Sequence, residues 1–190
     1  MNPHTSFPIA RFALNVTLLP GEILPLHIFE PRYQALVADR LADDQPFTIV
    51  NGDGDSPADV GCAADLHGVT HRFDDGRMNV ITRGYRRIRT LDVVSSDPYD
   101  VIRAEWLDDD TEEDISASLV DESRTAYRTA SVAMPWNLAL AVDVTDDPAK
   151  LSWFIADAMQ LSTESRQALL EMTSPRLRLE TETRWLKSLV

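Results

Sequence analysis

The spacing of apolar residues changes once along this chain, near residue 110, and that change restricts the fold more than any other feature. Before it, apolar residues come in short runs cut by Gly, Pro and Asp clusters, the mark of strands and tight turns. After it they recur every three or four positions, the mark of amphipathic helices. Strands followed by helices, rather than alternating with them, predict an α+β architecture. We therefore expect a β-rich subdomain with one helix over residues 1–110 and a helical bundle over residues 111–190.

Val16–Leu19 and Ile23–Ile28 read as two strands divided by the turn dipeptide Pro20-Gly21. Glu30-Pro31 marks a helix start, because Pro at the first helical position gives up an N–H that has no partner there. Tyr33, Leu36, Val37 and Leu41 form its apolar stripe. Phe47–Val50 is a short strand and Asn51 to Asp59 a loop. Val60–Phe73 and Arg77–Arg83 flank Asp74-Asp75-Gly76, a hairpin signal, and Tyr85–Val94 and Tyr99–Leu107 complete the strands. In the last of these Ile102, Ala104 and Trp106 share one face.

Helical spacing begins with Ile115, Leu119, Ala126, Tyr127 and Ala130. It continues over Trp136–Val142, then from Asp147-Pro148 with Leu151, Phe154, Ile155 and Met159. Ser162 caps a helix carrying Leu169, Leu170 and Met172, and Ser174-Pro175 opens the last, with Leu177, Trp185 and Leu189 aligned. The acidic run Asp108–Asp114 reads as a solvated connector.

Charge and composition narrow the function. Among 190 residues, 18 Lys and Arg stand against 31 Asp and Glu, a net −13, and both halves are acidic. Most of such a surface repels a phosphate backbone. The single Cys62 rules out an internal disulfide and a Cys-rich zinc site, and reads as a small buried side chain. Met1 to Phe7 lacks the flanks of a secretory signal, and no run reaches the roughly 18 apolar residues of a membrane span. A cytoplasmic protein with no membrane partner is expected.

The residues that could carry chemistry do not assemble into a known arrangement. Gly52-Asp53-Gly54-Asp55 has no Lys to neutralise phosphate, so it is no P-loop. As a calcium loop it puts Ser56 at the turn glycine and Cys62 at the bidentate Glu. No Gly-x-Ser-x-Gly elbow singles out a serine. His67 and His71, four apart in an extended segment, stand about 13 Å from each other by strand rise, too far to share a metal. A Ser-Lys dyad would need Lys150 or Lys187, both in amphipathic helical surroundings. No cofactor and no catalytic residue is expected.

Arg83-Gly84-Tyr85-Arg86-Arg87-Ile88-Arg89 interleaves an aromatic with arginines, as nucleic-acid strands do. With Asp92, Asp97 and the Asp108–Asp114 run close by, internal ion pairing is the simpler expectation. The tryptophans Trp106, Trp136, Trp153 and Trp185 fall on separate elements, mostly as core, with Trp136 beside Met134-Pro135 at a junction.

The run Leu24-Pro25-Leu26-His27-Ile28-Phe29-Glu30-Pro31-Arg32-Tyr33 resembles the hallmark of the N-terminal substrate-binding domain of the Lon ATP-dependent protease family. Val60-Gly61-Cys62, Asp75-Gly76-Arg77-Met78-Asn79-Val80, Arg83-Gly84 with Arg87 and Ile88, and Leu161-Ser162 to Leu170-Glu171 agree, so the resemblance spans roughly residues 7–188. It implies a PUA-like β pseudo-barrel with one helix, followed by a helical bundle. In that family the domain engages unfolded or tagged protein segments.

The ATPase and Ser-Lys peptidase modules of the family have no counterpart here. The resemblance thus implies a non-catalytic protein- or peptide-binding module, a candidate substrate adaptor for a separate protease, with Met134, Trp136 and Phe29 as candidate contacts. Leu26, Ile28 and Tyr33 are expected to pack the first helix on the barrel, and Glu30 with Arg32 to form an ion pair or cap. The alternative is an RNA-binding PUA-like module using Arg83–Arg89, which the overall acidity disfavours.

Overall fold

The computed structural model describes residues 5–52, 57–110, 114–133 and 145–190. It divides into two compact units, Met1–Asp108 and Asp109–Val190. In the first lie β1 (Phe7–Leu14), β2 (Ile23–Ile28), α1 (Pro31–Asp43), β3 (Phe47–Asn51), β4 (Val60–Arg72), β5 (Met78–Ser95) and β6 (Val101–Trp106). The second holds α2 (Ala117–Ala133), α3 (Pro148–Ala158), α4 (Thr163–Glu171) and α5 (Pro175–Lys187).

The six strands form one mixed sheet in the order β2-β5-β4-β3-β1-β6, and a further pairing of β5 with β6 closes five of them into a circuit. Only β1 and β3 run parallel, with Ala10 opposite Phe47. β2 pairs with β5 alone, Leu26 opposite Val80. The core under the sheet contains Phe12, Leu26, Ile28, Phe47, Ile49 and Val80, and α1 closes it with Tyr33, Leu36 and Val37. Tyr33 stacks on Phe12 with ring centroids 3.8 Å apart, and its hydroxyl donates to Ala13 O at 3.1 Å.

Three strand expectations change. Val16–Leu19 is not a strand: Leu18 and Leu19 are apolar because they are fully buried, and Gly21 N and Glu22 O tie the following turn to Gly84 at 2.8 and 3.0 Å. The strand that precedes it, β1, gave no alternating signal, because a strand between β3 and β6 is buried along Ile9–Phe12 without a wet face. Third, Arg77–Arg83 and Tyr85–Val94 are one strand of 18 residues, β5. Gly84 does not break it. A Cβ there would stand 2.5 Å from Leu19 O and 2.9 Å from Cys62 Sγ, so glycine is required by close packing.

In the second unit Ala126, Tyr127 and Ala130 of α2 share a core with Leu151 and Ile155 of α3 and Leu179 and Leu186 of α5. Asp147 caps α3 through its side chain to Ala149 N and Lys150 N, and Ser162 and Ser174 cap α4 and α5. Glu30 makes no such bond at the start of α1. The expected stripe of α5 is displaced: Leu177 and Leu189 are exposed, Trp185 is half-buried, and the inward face is Arg178, Leu179, Glu182, Thr183 and Leu186.

Of the two buried charged residues of α5, Arg178 is compensated in full and Glu182 in part. Arg178, 0% exposed, donates to Asp109 Oδ1 and Oδ2 at 2.6 and 2.8 Å, to Met172 O at 2.8 Å and to Ser152 Oγ at 3.1 Å. Its guanidinium lies 4.0 Å over the Trp153 ring. Ser152 Oγ donates to Glu182 Oε1 at 2.9 Å, while Glu182 Oε2 has no partner. Burial drives the Glu182 carboxyl well above the usual carboxylate range, against the pull of Ser152 and Arg178. The connector is therefore not simply solvated, since Asp109 is a ligand of Arg178. The expected helix Trp136–Val142 lies outside the described residues.

Candidate functional site

The run Leu24 to Tyr33 splits by side. Alternation along β2 sends Leu24, Leu26 and Ile28 toward the core and leaves Ile23, Pro25 and His27 outside. Phe29, in the bend between β2 and α1, is 60% exposed, and Ile23 is 62% exposed. Opposite them on β5, Arg83, Ile81 and Asn79 lie on the same outer face, with Asp65, Gly68 and His71 of β4 beyond. The inward half of the run builds the core and the outward half builds a surface.

That surface is organised around rings. His27 lies 6.2 Å from Phe29 and 5.7 Å from Phe73, and His71 packs edge-on against Phe73 at 4.4 Å. His27 Nδ1 bonds Asn79 Oδ1 at 2.7 Å, which fixes its ring plane. Arg77 lies 5.1 Å over Phe73 while bonding Asp75 Oδ2 at 2.7 Å. Gln34 Nε2 donates to Phe29 O at 3.1 Å, holding the bend onto α1. Arg32 Nε bonds Glu30 Oε2 at 2.9 Å, so this pair is an ion pair and not a cap. The result is an exposed aromatic and aliphatic face whose cations are largely neutralised, on a chain that is otherwise strongly acidic.

Candidate chemical groups are placed apart from that face. Cys62 is buried, and desolvation pushes its thiol up to about 12. Lys150 reaches Asp147 at 3.6 Å and Lys187 pairs with Glu122. No group of three or more His, Cys, Asp and Glu among the described residues is placed to hold a metal ion, and among them no helix is long and apolar enough to cross a membrane.

Beyond Arg83, which is exposed, the arginines of the β5 run face acidic partners or the interior. Arg86 grips both oxygens of Asp108, at 2.7 and 2.9 Å, and lies 4.5 Å over Trp106. Arg89 approaches Glu105 at 3.9 Å, Arg103 bonds Asp92 at 2.7 Å, and Arg87 is buried. Trp106, Trp153 and Trp185 are each half-buried. Of the three expected contacts, Phe29 stands on the exposed face, whereas Met134 and Trp136 lie outside the described residues. His27, His71 and Phe73 are the members of the face that residue types alone did not single out. The spacing of two between His27, near the end of β2, and Phe29, just past it, was the available signal.

A closed strand circuit flanked by one helix, together with a compact helical unit, defines a two-unit α+β architecture with, among the described residues, a six-stranded mixed sheet and five helices. The chain belongs to the family of the ATP-dependent protease La (LON) substrate-binding domain, whose model matches residues 9–188. The Lon protease of Desulfosudis oleivorans is 25% identical over an alignment of 182 residues that covers 89% of this chain and 22% of that protein. Lon protease 2 of Myxococcus xanthus is 26% identical over an alignment of 180 residues that covers 87% of this chain and 22% of that one. The chain thus spans about a fifth of the length of these relatives, and the part matched is the N-terminal substrate-binding domain, not the ATPase or protease domains.

Two solved structures share the fold. The Lon N-terminal domain protein from Xanthomonas campestris superposes with a TM-score of 0.73 at 24% identity, covering 94% of this chain and 98% of that one. The N-terminal domain of the Mycobacterium avium complex Lon protease gives 0.75 at 19% identity, covering 97% and 100%.

Proposed function

We propose that this protein is a non-catalytic, cytoplasmic module that binds exposed apolar segments of other proteins, and that the outer face of β2 is where it does so. The observation that carries the reading is Phe29, held 60% exposed beside His27, whose ring in turn meets Phe73. A large ring kept in water by a folded bend has no structural return, and exposed apolar clusters mark interaction surfaces. The membership of a substrate-binding domain family supports the same reading.

On this proposal the sheet-rich unit is a PUA-like pseudo-barrel, the helices a bundle, and the working boundary falls between residues 1–110 and 111–190. Met134 and Trp136 are proposed as further contacts. An adaptor role, handing cargo to a separate protease, follows if cargo is gripped and left uncut. RNA binding through Arg83–Arg89 is disfavoured by the acidic partners that Arg86 and Arg89 already hold.

The test is binding of a permanently unfolded, reduced and alkylated protein to the full chain, read by anisotropy. Binding is expected, with no cleavage and no ATP hydrolysis. Phe29→Asp is expected to weaken it by about tenfold, roughly 1.4 kcal/mol. Absence of binding across several unfolded proteins, or indifference to Phe29→Asp, overturns the reading.

A further inference from the structure

The sheet-rich unit carries a second surface feature that the β2 face does not include, a groove of about 510 Å³ lined by Phe7, Pro8, Arg40, Pro46, Tyr99 and Trp106. Its walls are aromatic. The Phe7 and Trp106 ring centroids are 4.4 Å apart at an interplanar angle of 34°, and the Tyr99 hydroxyl is fixed by donation to Asp39 Oδ2 at 2.6 Å.

The strand register explains why there is space here. β3 begins at Phe47, opposite Ala10, so the first residues of β1, Phe7 to Ile9, have β6 on one side and no β3 residue on the other. An incoming strand could not simply fill the gap, because Pro8 and Pro46 at its edges have no N–H to offer a ladder. An occupant must be held by side-chain packing. The polyproline II conformation suits such a place, since it forms no lateral hydrogen bonds and lays its prolines on aromatic ridges.

Charge selects among such segments. Asp39, Asp43 and Asp44 gather at the C-terminal end of α1, the negative end of the helix dipole. Asp43 is matched by Arg40 at 2.6 Å, Asp108 by Arg86 and Asp92 by Arg103. Asp39 and Asp44 have no ion-pair partner among the described residues. Arg40, the charged residue that lines the groove, is matched by Asp43, and Asp39, which holds the Tyr99 hydroxyl of the wall, adds an unmatched negative charge beside it, on a chain of net charge −13. From groove, prolines and charge together we infer that this site binds a proline-containing, polyproline II segment of another protein with a Lys or Arg next to the prolines. The inference goes beyond the reading of the β2 face and does not depend on it.

The experiment uses the full chain and two labelled peptides of prolines and leucines, one ending in two arginines and its twin ending in two glutamates. The arginine peptide is expected to bind at least about tenfold more tightly, a gap of roughly 1.4 kcal/mol, and the gap should shrink as added salt shortens the Debye length. Trp106→Leu should abolish binding and Trp106→Phe retain it. The pair Asp39→Asn with Asp44→Asn, which keeps at position 39 an amide oxygen to accept from the Tyr99 hydroxyl, should cut the preference several-fold. Equal binding of the twins, no binding at millimolar peptide, or a preference indifferent to the Asp pair overturns the inference. Loss of unfolded-protein binding with the arginine preference intact would sink only the reading of the β2 face, and the converse result only this one.

Discussion

β2 and α5 obey opposite rules. In β2 the apolar residues Leu24, Leu26 and Ile28 turn inward and His27 turns out, as alternation requires. In α5 the apolar Leu177 stays in water, as does Leu189 just beyond its end, while Arg178 and Glu182 are buried completely. The difference is not in side-chain hydrophobicity. A strand has two faces and little choice, whereas a helix can rotate, and α5 rotates to where its charged residues find partners: Asp109, Ser152, Met172 O and the Trp153 ring. Once paired, a guanidinium contributes three methylenes and a flat ring-stacking surface to a core.

The sharpest way to break this comparison is to remove the charge. Arg178→Ala leaves Asp109 and Ser152 without their donor and opens a cavity, so unfolding of the helical unit in urea should ease by about 3–5 kcal/mol. Leu177→Lys, one residue away on the exposed side, should stay within about 0.5 kcal/mol. Equal effects would mean that α5 does not bury the face described. Glu182 adds a pH signature. Its folded carboxyl titrates well above the unfolded one, so the native state holds the proton more tightly than the unfolded state. Stability should be fully present below the ordinary carboxylate range and fall as pH rises through the raised value. Glu182→Gln, which mimics the protonated acid, should flatten that slope in a series of urea melts at different pH. A slope that survives the substitution assigns it elsewhere.

A smaller effect tests the strand side. Gly84→Ala forces a methyl against Leu19 O and Cys62 Sγ, and should cost about 1–3 kcal/mol by overpacking. A cost below about 0.5 kcal/mol would show that the Leu18-Leu19 plug can retreat, and that β5 needs no glycine to pass as one strand.

How much of this was legible follows from what each residue reports. The change of period near residue 110 falls between β6 and α2 and was readable because period is a local property of backbone geometry. β2, α1 and the Asp74-Asp75-Gly76 hairpin were legible for the same reason. β1 was not, since a strand buried along its middle loses the alternation that advertises strands. Leu18 and Leu19 advertised a strand falsely, because burial and pairing leave the same apolar residues behind. Phe29 was legible as part of a family-like run, but His71 and Phe73, the rings that extend its face through His27, come from a hairpin more than 40 residues away, and only the β2–β5–β4 register brings them together. The partners of Arg178 were illegible in the same way, Asp109 lying 69 residues before it.

The finest test compares two helix starts that look alike in sequence, Glu30-Pro31 and Asp147-Pro148. Asp147 Oδ1 accepts from Ala149 N at 3.0 Å and Lys150 N at 3.4 Å, whereas the Glu30 carboxylate turns outward to Arg32. The shorter Asp side chain reaches the first-turn amides, and the extra methylene of Glu overshoots them, so only one of the two caps its helix. Asp147→Ala should therefore lower stability by about 1 kcal/mol, while Glu30→Ala, losing an exposed ion pair, should cost no more than a few tenths. Both are read as shifts of the urea midpoint at constant slope. Comparable losses would mean that Glu30 stabilises the first helical turn after all, and that the bend presenting Phe29 is anchored by its carboxylate as well as by Gln34.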